Sequence, residues 1–194
     1  MVKLSRIGKF LVGAIVASFF AVPAFAVPVD ITHVHNGAPV ASVPDATLSF
    51  GPGLGLSTGD AIVTINATGD FNSSTENFVL TADGGAFSFG TIFNSNTGDD
   101  IFNHTTDTGA AYTTPNTAIT AIIPLATLNS LLADGQIDFF LDYSIAVDND
   151  VVPFPHTVSI QLVYDEVAVS EPGTLAVFGL GILGLGYMRR RKRT

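Results

Sequence analysis

Between residues 27 and 169 the chain runs in short stretches where apolar and polar side chains alternate, separated by clusters of Gly, Asn, Asp and Pro. Alternation with a period of two sets one face of a strand against a core and the other against water. The clearest stretch is 137–147, which puts Ile137, Phe139, Leu141, Tyr143, Ile145 and Val147 on one face and Asp138, Asp142 and Ser144 on the other. A second places Val158, Ile160, Leu162 and Tyr164 opposite Thr157, Ser159 and Gln161. These two are predicted as core strands joined across Pro153-Phe154-Pro155, since proline is poorly tolerated inside a sheet. Less regular strands are predicted at 32–35, 47–50, 61–67, 77–81, 86–93 and 117–123. Turns such as Gly51-Pro52-Gly53, Thr58-Gly59-Asp60, Gly69-Asp70 and Asp83-Gly84-Gly85 separate them.

One stretch changes period. Leu125, Leu128, Leu131 and Leu132 recur at helical spacing behind Pro124, with Asp134-Gly135 as a stop, so 124–133 is predicted as a short helix covering one end of the fold. The Asn-, Thr-, Asp- and Gly-rich residues 94–117 read as a long loop. No fixed-period repeat is visible, which excludes a solenoid. The pattern as a whole predicts an all-β fold, an antiparallel β-sandwich of jelly-roll type with one short helix, filling residues 27–169.

The ends follow other rules. Residues 1–26 read as a signal peptide: Lys3, Arg6 and Lys9, then an apolar run over 10–22, then Ala24 and Ala26 as the small residues that signal peptidase requires. Cleavage before Val27 is expected. Residues 170–194 hold Ser170-Glu171-Pro172-Gly173, an apolar run over 174–188 and the basic tail Arg189, Arg190, Arg191, Lys192 and Arg193. Basic residues stay on the cytoplasmic side, which predicts a single transmembrane helix over 174–188 with Glu171 facing outward. As a helix that run would reach roughly 22 Å across a hydrocarbon core of about 30 Å, a marginal anchor further weakened by its glycines.

Glu171-Pro172-Gly173-Thr174, the short Gly/Leu-rich span and the terminal basic cluster together resemble the PEP-CTERM sorting signal of exopolysaccharide-producing Gram-negative bacteria. The usual tripeptide is Pro-Glu-Pro, and Ser170 stands in place of its first proline. The resemblance covers only the C-terminal segment together with the presence of a signal peptide. It implies sorting by exosortase, an integral membrane cysteine protease. The expected route runs through signal peptidase and exosortase, with transient anchoring in the inner membrane and release to the cell surface or the extracellular space.

Charge sharpens the picture of the middle segment. All eight Lys and Arg residues lie at the two ends, and all 17 carboxylates lie between them. A purely acidic body repels phosphate backbones, which excludes nucleic acid as a partner. Cysteine is absent, so disulfides and thiolate metal sites are excluded too.

Candidate chemistry in the body is sparse. There is no Gly-x-Ser-x-Gly elbow and no Lys to act as a base, and Gly51-Pro52-Gly53-Leu54-Gly55 lacks the Lys of a phosphate loop. His33 and His35 fall on one strand face and suit a metal pair, with His104, His156 or a carboxylate as a third ligand, against the blander reading of ordinary histidines. Asp99 and Asp100, with Asp107 nearby, and Asp148-Asn149-Asp150 offer the hard oxygens that suit Ca²⁺, although Asp and Asn favour turns for backbone reasons alone. Asp99, Asp100, Asp148 and Asp150 are therefore the candidate Ca²⁺ ligands, and no other cofactor is expected. Two functional classes follow. The first is a non-catalytic structural or adhesive component of an exopolysaccharide matrix or biofilm, not an enzyme. The second is a secreted hydrolase or metal-dependent enzyme on the same scaffold.

Overall fold

The computed structural model describes residues 25–37, 45–104, 106–107, 118–147, 156–168 and 181–182. Of the residues singled out above, Ala24, Ser170, Glu171, Pro172, Gly173, Asp148, Asp150 and the basic tail Arg189, Arg190, Arg191, Lys192 and Arg193 lie outside them. So do nearly all of the predicted signal peptide and transmembrane span. Among the described residues no helix is long and apolar enough to cross a membrane. The chain divides into two compact units, and the strands described below belong to the one spanning Ala26–Val167.

Among the described residues that unit contains eight strands: β1 (Val27–Asn36), β2 (Ala46–Phe50), β3 (Ala61–Thr68), β4 (Phe78–Ala82), β5 (Phe87–Ile92), β6 (Ile119–Ile123), β7 (Ile137–Tyr143) and β8 (Thr157–Glu166). An α-helix, α1 (Leu125–Leu131), precedes β7. The strands form two four-stranded sheets in the orders β1-β8-β3-β6 and β2-β7-β4-β5. All the pairings are antiparallel, and β1 with β8, β2 with β7, β3 with β6 and β4 with β5 are the rungs of one long hairpin. Alternate rungs fall in opposite sheets, and β8 against β3 and β7 against β4 complete each sheet. This order is that of a jelly roll, the eight-stranded double Greek key.

Both sheets bury one face. β2, β3, β6 and β7 read buried and less buried residues in strict alternation, as a half-buried strand requires. Phe50, Phe78, Phe89 and Phe139 from one sheet and Ile65, Ile160 and Leu162 from the other enter a single core. Phe139 sits at its centre, with its ring 5.0 Å from that of Phe50 and 5.7 Å from that of Phe89. Such tilted and edge-on ring pairs place the positive rim of one ring near the negative face of another.

Two predicted strands end elsewhere. β1 runs from Val27 to Asn36 instead of 32–35, because it pairs with β8 along its whole length and its inward residues are Val29, Ile31, His33 and His35. Two histidines on the inner face break an apolar pattern without breaking the strand. β7 stops at Tyr143 instead of 147: the Ser144 hydroxyl donates to the Thr75 carbonyl, a turn closes from the Val147 N–H to the Ser144 carbonyl, and Ile145 is 82% exposed. The strands β7 and β8 are also not partners, since they lie in different sheets. The helix forms where leucine spacing places it, with Pro124 as its N-cap and Leu128 and Leu131 buried. The Asn129 side chain clamps the Ser57 backbone, accepting its N–H at 2.7 Å and donating to its carbonyl at 3.2 Å.

Candidate functional site: a buried Asp–His–Asp cluster

The order of strands in the sheets leaves β5 at the edge of one sheet and β6 at the edge of the other. An unpaired edge exposes backbone N–H and C=O groups, and proteins cover such edges. Here residues 100–103 do so from both sides. The Ile101 N–H donates to the Phe89 carbonyl at 3.0 Å, and the Asn103 N–H donates to the Thr120 carbonyl at 2.8 Å. Phe102 turns inward between these bonds, its ring stacked 5.7 Å from that of Phe89. The approach depends on Gly90, where a Cβ would lie 2.2 Å from the Asp99 carbonyl oxygen and where φ is +98°.

This cover carries a compact polar cluster. Asp100, His104 and Asp107 each present a ligand atom within 4.8 Å of the others, and among the described residues they are the group of three His or carboxylate side chains with that spacing. The His104 Nε2 lies 2.9 Å and 3.0 Å from the two Asp100 carboxylate oxygens. Side-chain exposure is only 4% for His104 and 0% for Asp100. The Asp100 carboxylate also caps the turn by accepting the Phe102 N–H at 2.7 Å.

Asp107 is 2% exposed and gathers a concave loop around its carboxylate. It accepts N–H groups from Phe93 at 2.6 Å and Asn94 at 2.8 Å, with a longer bond from Asn96 at 3.4 Å. Its own carbonyl accepts the Ser95 N–H at 2.6 Å. Phe93 and Ser95 hold left-handed conformations, with φ of 72° and 67°. Such conformations are unfavourable for non-glycine residues, and the bonds to Asp107 hold them in place. Burying a carboxylate requires satisfied acceptors, and successive backbone N–H groups provide them.

The histidines and aspartates predicted from sequence fall into three places. His33 packs against Phe50, ring centroids 4.5 Å apart. His35 joins His156 at 5.3 Å and Tyr143 at 5.8 Å in an aromatic cluster at the β1 edge. His156 is fully buried, and its ring takes the space a Gly37 side chain would need, since a Cβ there would lie 1.6 Å from His156 Cε1. Burial, and then the neighbouring His156, hold the His35 imidazole below its ordinary value. Asp99 turns from Asp100 and accepts the Asn94 side-chain amide at 2.5 Å. Of the candidate Ca²⁺ ligands, Asp100 stands with His104 and Asp107, and Asp148 and Asp150 lie outside the described residues. The signal for that set was the spacing Asp-x-x-x-His-x-x-Asp in a stretch without any Lys or Arg.

Comparison with other proteins separates the body from its tail. No curated protein matches the chain. Among solved structures it is similar to the quasi-atomic PBCV-1 virus capsid, at 12% identity over 77% of this chain, with a TM-score of 0.34. The match spans 45% of that capsid chain, less than half its length. It is also similar to the P-domain of Macrobrachium rosenbergii nodavirus, at 14% identity over 73% of this chain and 93% of that one, with a TM-score of 0.25. The tail gives a different result. Residues 168–192 match the PEP-CTERM protein-sorting motif, starting two residues before the Ser170 boundary read from the pattern and including Glu171, Pro172 and the basic cluster up to Lys192. The chain therefore carries a PEP-CTERM protein-sorting motif and is an exported protein sorted by exosortase.

Proposed function

We propose that the sorted protein is a non-catalytic adhesive component of the extracellular matrix that binds neutral stretches of exopolysaccharide through the outer face of the β1-β8-β3-β6 sheet. The observation carrying this reading is the composition of that face. Strand register aligns Thr32, Gln161, Thr64 and Thr120 in one row across all four strands. The next row sets Val34, Ser159 and Asn66 side by side, and beyond it lie Asn36, Thr157 and Thr68. Hydroxyls and amides thus repeat at about 4.8 Å across the sheet, a spacing set by strand pairing. In an acidic body this face is nearly uncharged. Its acids, Asp30 and Asp165, stand toward one end, and Asp30 already accepts the Gln161 amide at 2.7 Å.

Neutral hydroxyls and amides exchange hydrogen bonds with sugar hydroxyls without the cost of desolvating a charge. Val34, Ile62 and Ile122 add exposed apolar contact among them. On the opposite sheet the outward carboxylates stand near both ends of β7, Asp138 beside Ser49 and Asp142 beside Val79, so they flank that face instead of leaving one end neutral.

Binding of the mature protein to exopolysaccharide from the producing cells tests this. Thr32→Asp with Thr120→Asp should weaken binding by about tenfold or more, from loss of hydrogen bonds and added repulsion, while Ser49→Asp on the other sheet should not. Equal binding by all variants would remove the face from the account. Release of free sugar from the polymer would support the hydrolase reading instead.

A further inference from the structure

We infer that Asp100, His104 and Asp107 form a structural site for one divalent transition-metal ion, of which Zn²⁺ is the chemical type, and that the ion locks the 100–107 segment across the β5 and β6 edges. Three independent observations carry it. Potential ligand atoms of all three residues already lie within 4.8 Å of one another, so modest side-chain rotation brings the imidazole and the Asp107 carboxylate onto one centre with Asp100 beside it.

Next, the imidazole is only half used. His104 Nε2 faces the Asp100 carboxylate, while Nδ1 is buried and has no hydrogen-bond partner. A neutral ring that gives its Nε2 proton to a carboxylate leaves Nδ1 as a bare lone pair, and that is the tautomer a metal-binding histidine takes. Asp100 is therefore the partner that accepts the Nε2 proton and orients the ring, with Nδ1 left to face the ion.

The last observation is charge. Two buried carboxylates stand beside one imidazole in a body where no Lys or Arg occurs between Phe10 and Met188. The backbone N–H groups around Asp107 supply hydrogen bonds but no net charge. A divalent cation balances both carboxylates with the histidine neutral, and buried charges persist when they are paired or bind metal. One nitrogen with carboxylate oxygens suits Zn²⁺ better than Ca²⁺, which prefers oxygen alone. Burial of all three side chains keeps substrate from the ion, with water in its remaining positions, so the site contributes folding energy instead of catalysis.

The site sits where such an ion would matter most. Residues 100–103 touch an edge strand of each sheet, so fixing 100–107 ties the two sheets together on their open side.

The test uses the full-length protein stripped with a chelator and titrated with Zn²⁺. Elemental analysis should find one Zn²⁺ per chain. The melting temperature should rise by about 5–10 °C at roughly a hundredfold excess over Kd, with Ca²⁺ producing a much smaller shift. His104→Gln should lose the stoichiometric ion, and Asp99→Asn should keep it. Should His104→Gln fail to fold, Co²⁺ bound to the unaltered protein gives a second reading, since its visible spectrum reports a nitrogen- and oxygen-ligated centre. Substoichiometric Zn²⁺ in the unaltered protein, a melting temperature indifferent to the ion, or undiminished binding by folded His104→Gln would each overturn the assignment. A Ca²⁺ shift equal to that of Zn²⁺ would overturn the choice of metal.

Discussion

Single residues show how far burial changes their chemistry. His35 faces inward from β1 beside His156 and Tyr143, and burial followed by the second imidazole lowers its pKa. A base with a lowered folded-state pKa binds its proton more readily in the unfolded chain. Its contribution to stability is therefore fully present above the ordinary value of about 6.5 and is lost as pH falls through the lowered folded value. Melting temperature followed from about pH 7.5 down to about pH 5 should fall, and His35→Gln should flatten that part of the curve. An unchanged slope in the variant would remove His35 as the cause. The same inward histidines explain a gap in the sequence reading. With His33 and His35 counted as polar, nothing in the pattern marked all of Val27–Asn36 as a strand. The burial of Asp100 and Asp107 was equally hidden, since Asp in a Gly- and Asn-rich stretch usually marks a solvated turn. Their spacing to His104 was visible, and their enclosure was not.

Elements were more legible than their partners. Eight strands and one leucine-spaced helix follow from period and turn chemistry, because those signals are local. Sheet membership is not local. Alternation in β7 and β8 is equally clear, yet they face each other across the core instead of pairing, a consequence of the long hairpin folding over itself. The end of β7 was also invisible, since Ile145 and Val147 continue the alternation and it is the tie between Ser144 and Thr75, with the turn from Ser144 to Val147, that breaks the strand. β7 lies inside its sheet, between β2 and β4, and Phe139 is its fully buried centre. Phe139→Ala removes ring contacts to Phe50 and Phe89 and leaves a cavity between the sheets, so it should cost about 3–5 kcal/mol. Urea denaturation measures this directly. A cost of less than about 1 kcal/mol would mean that the core is not organised around that ring.

At the scale of the whole molecule, charge and route meet. The jelly-roll unit holds no Lys or Arg, and among the described residues the ion pair is that of His104 with Asp100. Carboxylate repulsion in this unit is therefore offset mainly by screening, and the melting temperature should rise from low salt to about 0.5 M. A flat response would show that the carboxylates are too far apart to matter. The basic residues belong to the segments that export is expected to remove, and the match over residues 168–192 ties the second of these to exosortase. The most direct test is the intact mass of the protein recovered from outside the producing cells, with sequencing of both its ends. The account predicts a chain that begins at Val27 and lacks Arg189, Arg190, Arg191, Lys192 and Arg193, and that trypsin cannot cut even when unfolded. Recovery of the protein only inside the cell, with both basic ends retained, would contradict it.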